Sequence, residues 1–227
     1  MPAVQYLSHS CFLVKAGGRT LLIDPFFTGN PKATVKAADV ETDYVLLSHG
    51  HGDHLGDGLE IAKRCNATII AANELAIYCS AKGANTHPMH IGGGWNFDFG
   101  RVKLTIAHHS SAAGSNGLEY TGNPCGFLVM AEGKTLYHAG DTGLFYDMKL
   151  IGEMHPVDLA LLPIGDNFTM GVDDAIKAVE LMRPKQVVPM HYDTFDLIKA
   201  DPQRFASGAG LYGAKVTILK VGESLAY

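Results

Sequence analysis

SHGHGDH, residues Ser48 to His54, sets three imidazoles and a carboxylate into a glycine-spaced run directly after the apolar stretch Tyr44-Val45-Leu46-Leu47. Loops gather histidine, aspartate and glycine without binding anything, so a solvated polar turn is the plain alternative. In a chain of 227 residues with 11 histidines, however, the spacing His-x-His-x-Asp-His arises by chance only about once in several hundred sequences. A bound metal is the better account. Gly50 and Gly52 then read as points where the backbone enters positive φ to crowd the ligands together.

Working outward, the run Tyr44–Leu47 reads as a strand, and Leu55, Leu59, Ala62 and Cys65 recur at helical spacing after it. ATIIAA (67–72) returns as a strand, giving a strand, loop, helix, strand unit. Upstream, the chain reads as strand from its start, and CFLVKAGGRTLLIDP (11–25) is a hairpin around Gly17-Gly18. Downstream, NELAIYCSAKG (73–83) predicts a helix stopped by Gly83, followed by the turn-rich GGGWNFDFG (92–100). RVKLTIA, CGFLVMA, KTLYHA, DLALLPI, QVVPMH and the closing KVTILKV read as strands, VDDAIKAVELM (172–182) as a helix, and DPQRFAS (201–207) as a short one. Strands that meander and then alternate with helices, twice over, suit two sheets packed face to face under outer helices. The expected fold is α/β (α+β), a four-layer αββα sandwich formed as one domain over residues 1–227, with a weak internal duplication.

Composition narrows the function. Hydrophobic residues make up 47% and charged residues 18%, which places the chain among globular proteins. A formal charge of −5 and a pI near 6.1, with no local Lys/Arg cluster, argue against a nucleic-acid partner. No apolar run reaches the length of a membrane span, and the N-terminus carries neither a basic region nor a small-residue cleavage site, so a cytoplasmic protein is expected. Cys11, Cys65, Cys79 and Cys125 are widely separated, which points to free thiols rather than a disulfide framework or a thiolate zinc site. Metal ligands must therefore be imidazole and carboxylate, a set that suits zinc, manganese or iron.

Other polar residues stand where apolar strands end: Asp24 after TLLI, His108 and His109 after KLTIA, Asp141 after TLYHAG, and His191 after VVPM. Strand ends on one edge of a layered fold converge, so a single cleft can collect these groups.

SHGHGDH resembles the His-x-His-x-Asp-His signature of the metallo-β-lactamase superfamily, whose fold is an αββα sandwich. The later landmarks follow in order: His109 in AHHSS, Asp141 in HAGDT and His191 in VPMHYDTF. The resemblance covers essentially the whole chain. YHAGDTGLFYDM, LLPIGDNFTMG and HYDTF are similar to the superfamily's metal-dependent hydrolase branch, of which ascorbate-6-phosphate lactonase is a relative. The resemblance implies two divalent ions, zinc first, with manganese or iron as alternatives. One is held by His49, His51 and His109, the other by Asp53, His54 and His191, and Asp141 reaches both. Of the adjacent pair His108 and His109, only one can face the metals, because successive strand residues point to opposite faces; the family order selects His109.

Asp24 is expected to accept a hydrogen bond from a ligand imidazole and orient it. His9 in SHSCF matches a family position near the cleft, although a first-strand histidine can be structural. Asn167, with Asp166, is placed either near substrate or at the cap of the following helix.

Two cations about 3.5–4 Å apart clamp attacking and leaving oxygens and lower the pKa of bound water toward roughly 7. A hydrolase is therefore expected, cleaving an ester-like bond (lactone, thioester or phosphoester) in a small-molecule substrate with Asp53 and His54 at the catalytic centre. The alternatives are a phosphodiesterase or nuclease acting on nucleotides or nucleic acid, a non-hydrolytic di-iron redox protein, and a metal-binding protein without turnover. Acidic pI and short length oppose the nuclease. His51 stands where flavodiiron proteins carry a carboxylate, and no chain remains for a flavin domain. A β-lactam substrate suits a cytoplasmic protein poorly. Mean hydropathy of +0.07 permits a homo-oligomer without specifying its symmetry.

Overall fold

Val4 and Tyr6 on β1 (Ala3–Ser8), Phe12 and Val14 on β2 (Cys11–Ala16), and Leu21 and Ile23 on β3 (Arg19–Ile23) are all buried in one core, while Leu22 packs in a different cluster. This is the period of two that a strand buried on both faces imposes. The computed structural model describes residues 1–114 and 116–227. Gly17 (φ 57°) and Gly18 (φ 76°) close the β2–β3 hairpin, both in the left-handed region that a tight two-residue turn requires.

β4 (Tyr44–Leu47) lies parallel to β3 and leads into the signature. The helix expected across Leu55–Cys65 is broken in two, α1 (Gly52–Leu55) and α2 (Gly58–Cys65). The break falls at Gly56 (φ 40°), where a Cβ would collide with the Pro25 carbonyl. β5 (Thr68–Ala72) and α3 (Asn73–Ala81) follow as predicted. β6 (Asn85–Met89) was not anticipated, because NTHPM has no apolar alternation; it is an edge strand, where Pro88 is tolerated. β7 (Gly94–Phe97) likewise forms inside the stretch expected to be turns.

β8 (Gly100–Ile106) is followed by the short pair β9 (Ala112–Ala113) and β10 (Glu119–Tyr120), then by β11 (Cys125–Ala131) and β12 (Lys134–His138). α4 (Met148–Met154), unpredicted, precedes β13 (Leu159–Pro163), α5 (Val172–Met182) and β14 (Gln186–Met190). Ala175, Ala178, Val179 and Met182 form the buried stripe of α5 at the spacing an amphipathic helix requires. α6 (Pro202–Gly210) starts at Asp201, whose carboxylate accepts from the Gln203 and Arg204 N–H groups, with Pro202 at the first helical position. The closing strand is shorter than KVTILKV suggested: β15 covers only Lys215–Val216, and β16 (Ser224–Ala226) returns to pair with β1.

The strands make two mixed seven-stranded sheets, β16-β1-β2-β3-β4-β5-β6 and β15-β14-β13-β12-β11-β8-β7. Each passes from antiparallel hairpins to parallel neighbours, the shared plan behind the expected duplication. One core joins the facing sides of both sheets, from Leu46 and Ile70 to Leu104, Phe127 and Leu161. Val45, Leu47, Ile69 and Ala71 turn outward to meet Ala62, Leu75, Ala76 and Cys79 of α2 and α3. α5 and α6 cover the second sheet, completing the helix, sheet, sheet, helix order. No helix among the described residues is long and apolar enough to cross a membrane.

Candidate metal centre

The C-terminal ends of β3, β4, β8, β12 and β14 lie along one edge of the sandwich and carry Asp24, His49, His109, Asp141 and His191 in turn. His51 precedes α1, and Asp53 and His54 lie within it. Three groups of ligand atoms each gather within 4.8 Å: His49, His51 and His109; His49, His54 and Asp141; and His9, Asp53, His54 and His191. All seven residues expected as ligands therefore meet in one place. Asp141 stands between the groups, with Oδ1 3.2 Å from His54 Nε2 and Oδ2 3.0 Å from His191 Nε2 and 3.7 Å from His109 Nε2. His49 Nε2 and His109 Nε2 lie 3.0 and 3.3 Å from His51 Nδ1.

His51 Nδ1 is within hydrogen-bond reach of His49 and His109, but three buried atoms at the centre are left without a partner. His54 Nε2, Asp141 Oδ1 and His191 Nε2 are buried and make no hydrogen bond, even at separations of 3.0–3.2 Å. Buried polar atoms are rarely left in that state unless something else satisfies them. Donor atoms aimed at shared points instead of at each other are what divalent cations require, so the residues fit a metal centre.

Asp24 sets the aim of two of the rings. Its Oδ1 accepts from the Ser48 N–H (2.8 Å), and its Oδ2 accepts from Ser48 Oγ (2.6 Å) and His54 Nδ1 (2.8 Å). With its proton committed to Asp24, the Ser48 hydroxyl accepts from His49 Nδ1 at 3.0 Å. Both imidazoles thus carry hydrogen on Nδ1, which makes Nε2 the nitrogen turned inward and available to a cation. Across the cleft, the buried His138 donates from Nε2 to the Ser10 carbonyl (2.9 Å) and accepts from the Gly140 N–H (3.1 Å), which fixes the turn into Asp141. His9 lies beside Asp53, its Nε2 3.1 Å from Oδ2.

Charge follows this geometry in the metal-free protein. Burial lowers the His54 pKa, but Asp141, Asp24 and Asp53 outweigh it and raise the group well above its ordinary value. Burial also opposes His191, yet the Asp141 and Asp53 carboxylates raise it to about 9. Burial pushes Asp141 upward, and His191 and His54 reverse this and hold it well below the carboxylate range. Asp53 is likewise depressed against its own burial, by His54, His191 and His9. His49, His51 and His109 are lowered, chiefly by burial, and stay neutral. Burial and the neighbouring His191 bring His9 down to about 4.

Gly50 and Gly52 act differently from the expectation. Neither has positive φ. A Cβ at Gly50 would strike Thr121 Oγ1 and crowd the Ala112 backbone, whereas one at Gly52 would meet nothing within 4 Å. Gly50 is therefore small to let Ala112 of β9 and Thr121, just past β10, close over it, with its N–H on Ser111 Oγ at 3.1 Å. Gly50→Ala should lower stability by about 1–3 kcal/mol through overpacking. Gly52→Ala, in open space, should stay within about 0.5 kcal/mol of the parent; paired thermal melts check both.

Asn167 stands apart from the cluster. It is exposed, its N–H donates to Asp166 Oδ1 (2.9 Å), and both residues are left-handed, at φ 49° and 59°. Neither caps the next helix, since the N-cap of α5 is Gly171, with no side-chain cap. His108 is exposed and tilts against Phe145, while His109 faces the cluster. Ser48, Thr194 and His138 were passed over because a hydroxyl or an imidazole that only orients another residue leaves no spacing pattern. A cleft of about 490 Å³ opens beside His51, lined by Leu55, Tyr78, Lys82, Ala113 and Glu119.

Fold and site together define a hydrolase of the metallo-β-lactamase superfamily, and the model of the beta-lactamase superfamily domain matches residues 3–191. The chain is 55% identical over 225 residues to a UPF0173 metal-dependent hydrolase of Bacillus cereus, covering 98% of each protein. It is 52% identical over 220 residues to one of Carboxydothermus hydrogenoformans, covering 97% of each. Among solved structures, Igni18, a metallo hydrolase from the hyperthermophilic archaeon Ignicoccus hospitalis, is 38% identical with a TM-score of 0.90, covering 99% of this chain and 97% of that one. The chain belongs to the UPF0173 metal-dependent hydrolase family.

Proposed function

We propose that the centre holds two divalent cations, zinc first with manganese or iron as alternatives, and cleaves an ester-like bond in a small molecule. The observation that carries this reading is Asp141, whose carboxylate lies among His54, His191 and His109 with its buried Oδ1 left without a hydrogen-bond partner. His49, His51 and His109 would hold one ion, Asp53, His54 and His191 the other, with Asp141 shared. Such a pair supplies a hydroxide nucleophile at neutral pH and polarises the carbonyl or phosphoryl oxygen.

The protein's own groups do the rest. Asp24 fixes the inward nitrogens of His54 and, through Ser48, of His49. Asp53 is the most open of the three carboxylates, its side chain 31% exposed against 3% for Asp141 and 0% for Asp24. Ionised and partly open to solvent, Asp53 is the group placed to accept a hydrogen bond from the attacking water and orient it. The net charge of −5 favours a small-molecule substrate over nucleic acid, and four free thiols accord with a cytoplasmic protein. YHAGDTGLFYDM, LLPIGDNFTMG and HYDTF resemble the superfamily's metal-dependent hydrolase branch, which leaves lactones, thioesters and phosphoesters as candidate substrates.

Elemental analysis of protein purified without added metal, followed by a panel of lactones, thioesters and phosphodiesters, tests the reading. Two ions per chain and hydrolysis abolished by chelation are expected; one ion at saturation overturns the two-cation centre. Ion uptake at pH 7 should release about two protons, from His54 and His191, readable by calorimetry in buffers of different ionisation heat. The sign for stability follows: with its folded pKa raised from 6.5 to about 9, His191 stabilises the metal-free fold fully below pH 6.5. That contribution is lost as pH rises through 9, so the metal-free melting temperature should fall across this window.

A further inference from the structure

We propose that Thr194 and His9 form a hydrogen-bonded relay that sets the orientation of the Asp53 carboxylate, making both of them positioning residues for its cation-facing oxygen. The inference rests on the metal-centre reading above. His9 Nε2 lies 3.1 Å from Asp53 Oδ2, and His9 Nδ1 lies 2.9 Å from Thr194 Oγ1. Asp53 has no proton to give, so the hydrogen between them is on His9 Nε2. With the Nε2 hydrogen directed at Asp53, Nδ1 is left to accept from the Thr194 hydroxyl. Both ring nitrogens are occupied, which leaves His9 no lone pair for a cation despite its place among the ligand atoms of Asp53, His54 and His191.

Asp53 needs such a hold. It sits on the single turn of α1, is partly open to solvent, and among the described residues receives no side-chain or backbone hydrogen bond other than that from His9. His9 is itself immobilised. Its carbonyl accepts the His191 N–H at 3.0 Å, and its ring centroid lies 4.0 Å from that of His191. Its side chain is fully buried, and its backbone is left-handed at φ 58°. Thr194 is buried three residues beyond His191, so one turn after β14 delivers both a ligand to the centre and the hydroxyl that fixes the His9 tautomer.

The competing arrangement has His9 binding a cation through Nε2, which places its hydrogen on Nδ1 with Thr194 accepting. Long-range ¹H–¹⁵N spectra of the zinc-loaded protein separate the two, with the His9 signals identified by their loss in His9→Asn. The Nε2–H form is expected. Chelator competition should show zinc affinity about 10–100-fold weaker in Thr194→Val, with Thr194→Ser restoring it to within about twofold. A fold change common to any Thr194 substitution would not be rescued by serine. The Nδ1–H form, or wild-type zinc affinity in Thr194→Val, overturns the relay. A wild-type protein that takes up no zinc, and whose metal-free spectrum shows the Nε2–H form, upholds the hydrogen-bonded relay and overturns the metal centre instead.

Discussion

Asp141→Asn should lower kcat/KM for any hydrolysed substrate by at least ~10³-fold, about 4 kcal/mol of barrier. Removing one preorganised electrostatic contact at a reacting centre typically costs about 10²–10³-fold, and Asp141 reaches both groups of imidazoles, His54 from Oδ1 and His191 and His109 from Oδ2. An amide of the same shape presents one acceptor and one donor, so one side of the site would meet N–H where an anionic oxygen stood. Metal content should fall from two ions toward one in the same preparation. The variant also removes a carboxylate that raises His54 and His191, so proton release on ion uptake at pH 7 should shrink with it. Rate measurements beside elemental analysis check this; an Asn variant with parental activity and two ions would remove Asp141 from the centre.

The second large effect is on stability. Asp24→Ala should cost about 3–5 kcal/mol, because it leaves the His54 Nδ1 proton, the Ser48 N–H and the Ser48 hydroxyl unpaired in a fully buried pocket. For a chain of this size that corresponds to a melting temperature lower by roughly 6–20 °C. Asp24→Asn should lose less stability, since its carbonyl can still accept one of the three hydrogens. It should still lose metal affinity, because its amide N–H faces the His54 Nδ1 proton. Melts of both variants with and without zinc separate the two contributions.

The centre was legible in the sequence to the extent that its residues lie in short runs at strand ends. His49, His51, Asp53 and His54 share one turn, and Asp24, Asp141 and His191 each follow an apolar strand whose period of two announces where it stops. α5 was legible because Ala175, Ala178, Val179 and Met182 repeat along one face. β6 and α4 were not: Asn85–Met89 is held by backbone pairing to β5 at an edge, and Met148–Met154 buries only Met148. The α1–α2 break was hidden because Leu55, Leu59 and Ala62 keep helical spacing across Gly56, where the approach of Pro25 decides the turn. Ser48 and Thr194 gain their roles only from partners 24 and 185 positions away, which no local pattern encodes.

The seam between the two sheets has a consequence for how long the molecule survives. Asp24, His49, His51, Asp53 and His54 come from the first sheet and His109, Asp141 and His191 from the second, so an ion held by both would staple the halves together and leave when they part. Ion supply and resistance to proteolysis should therefore be tied, with the cation-starved polypeptide expected to be cut faster by added protease.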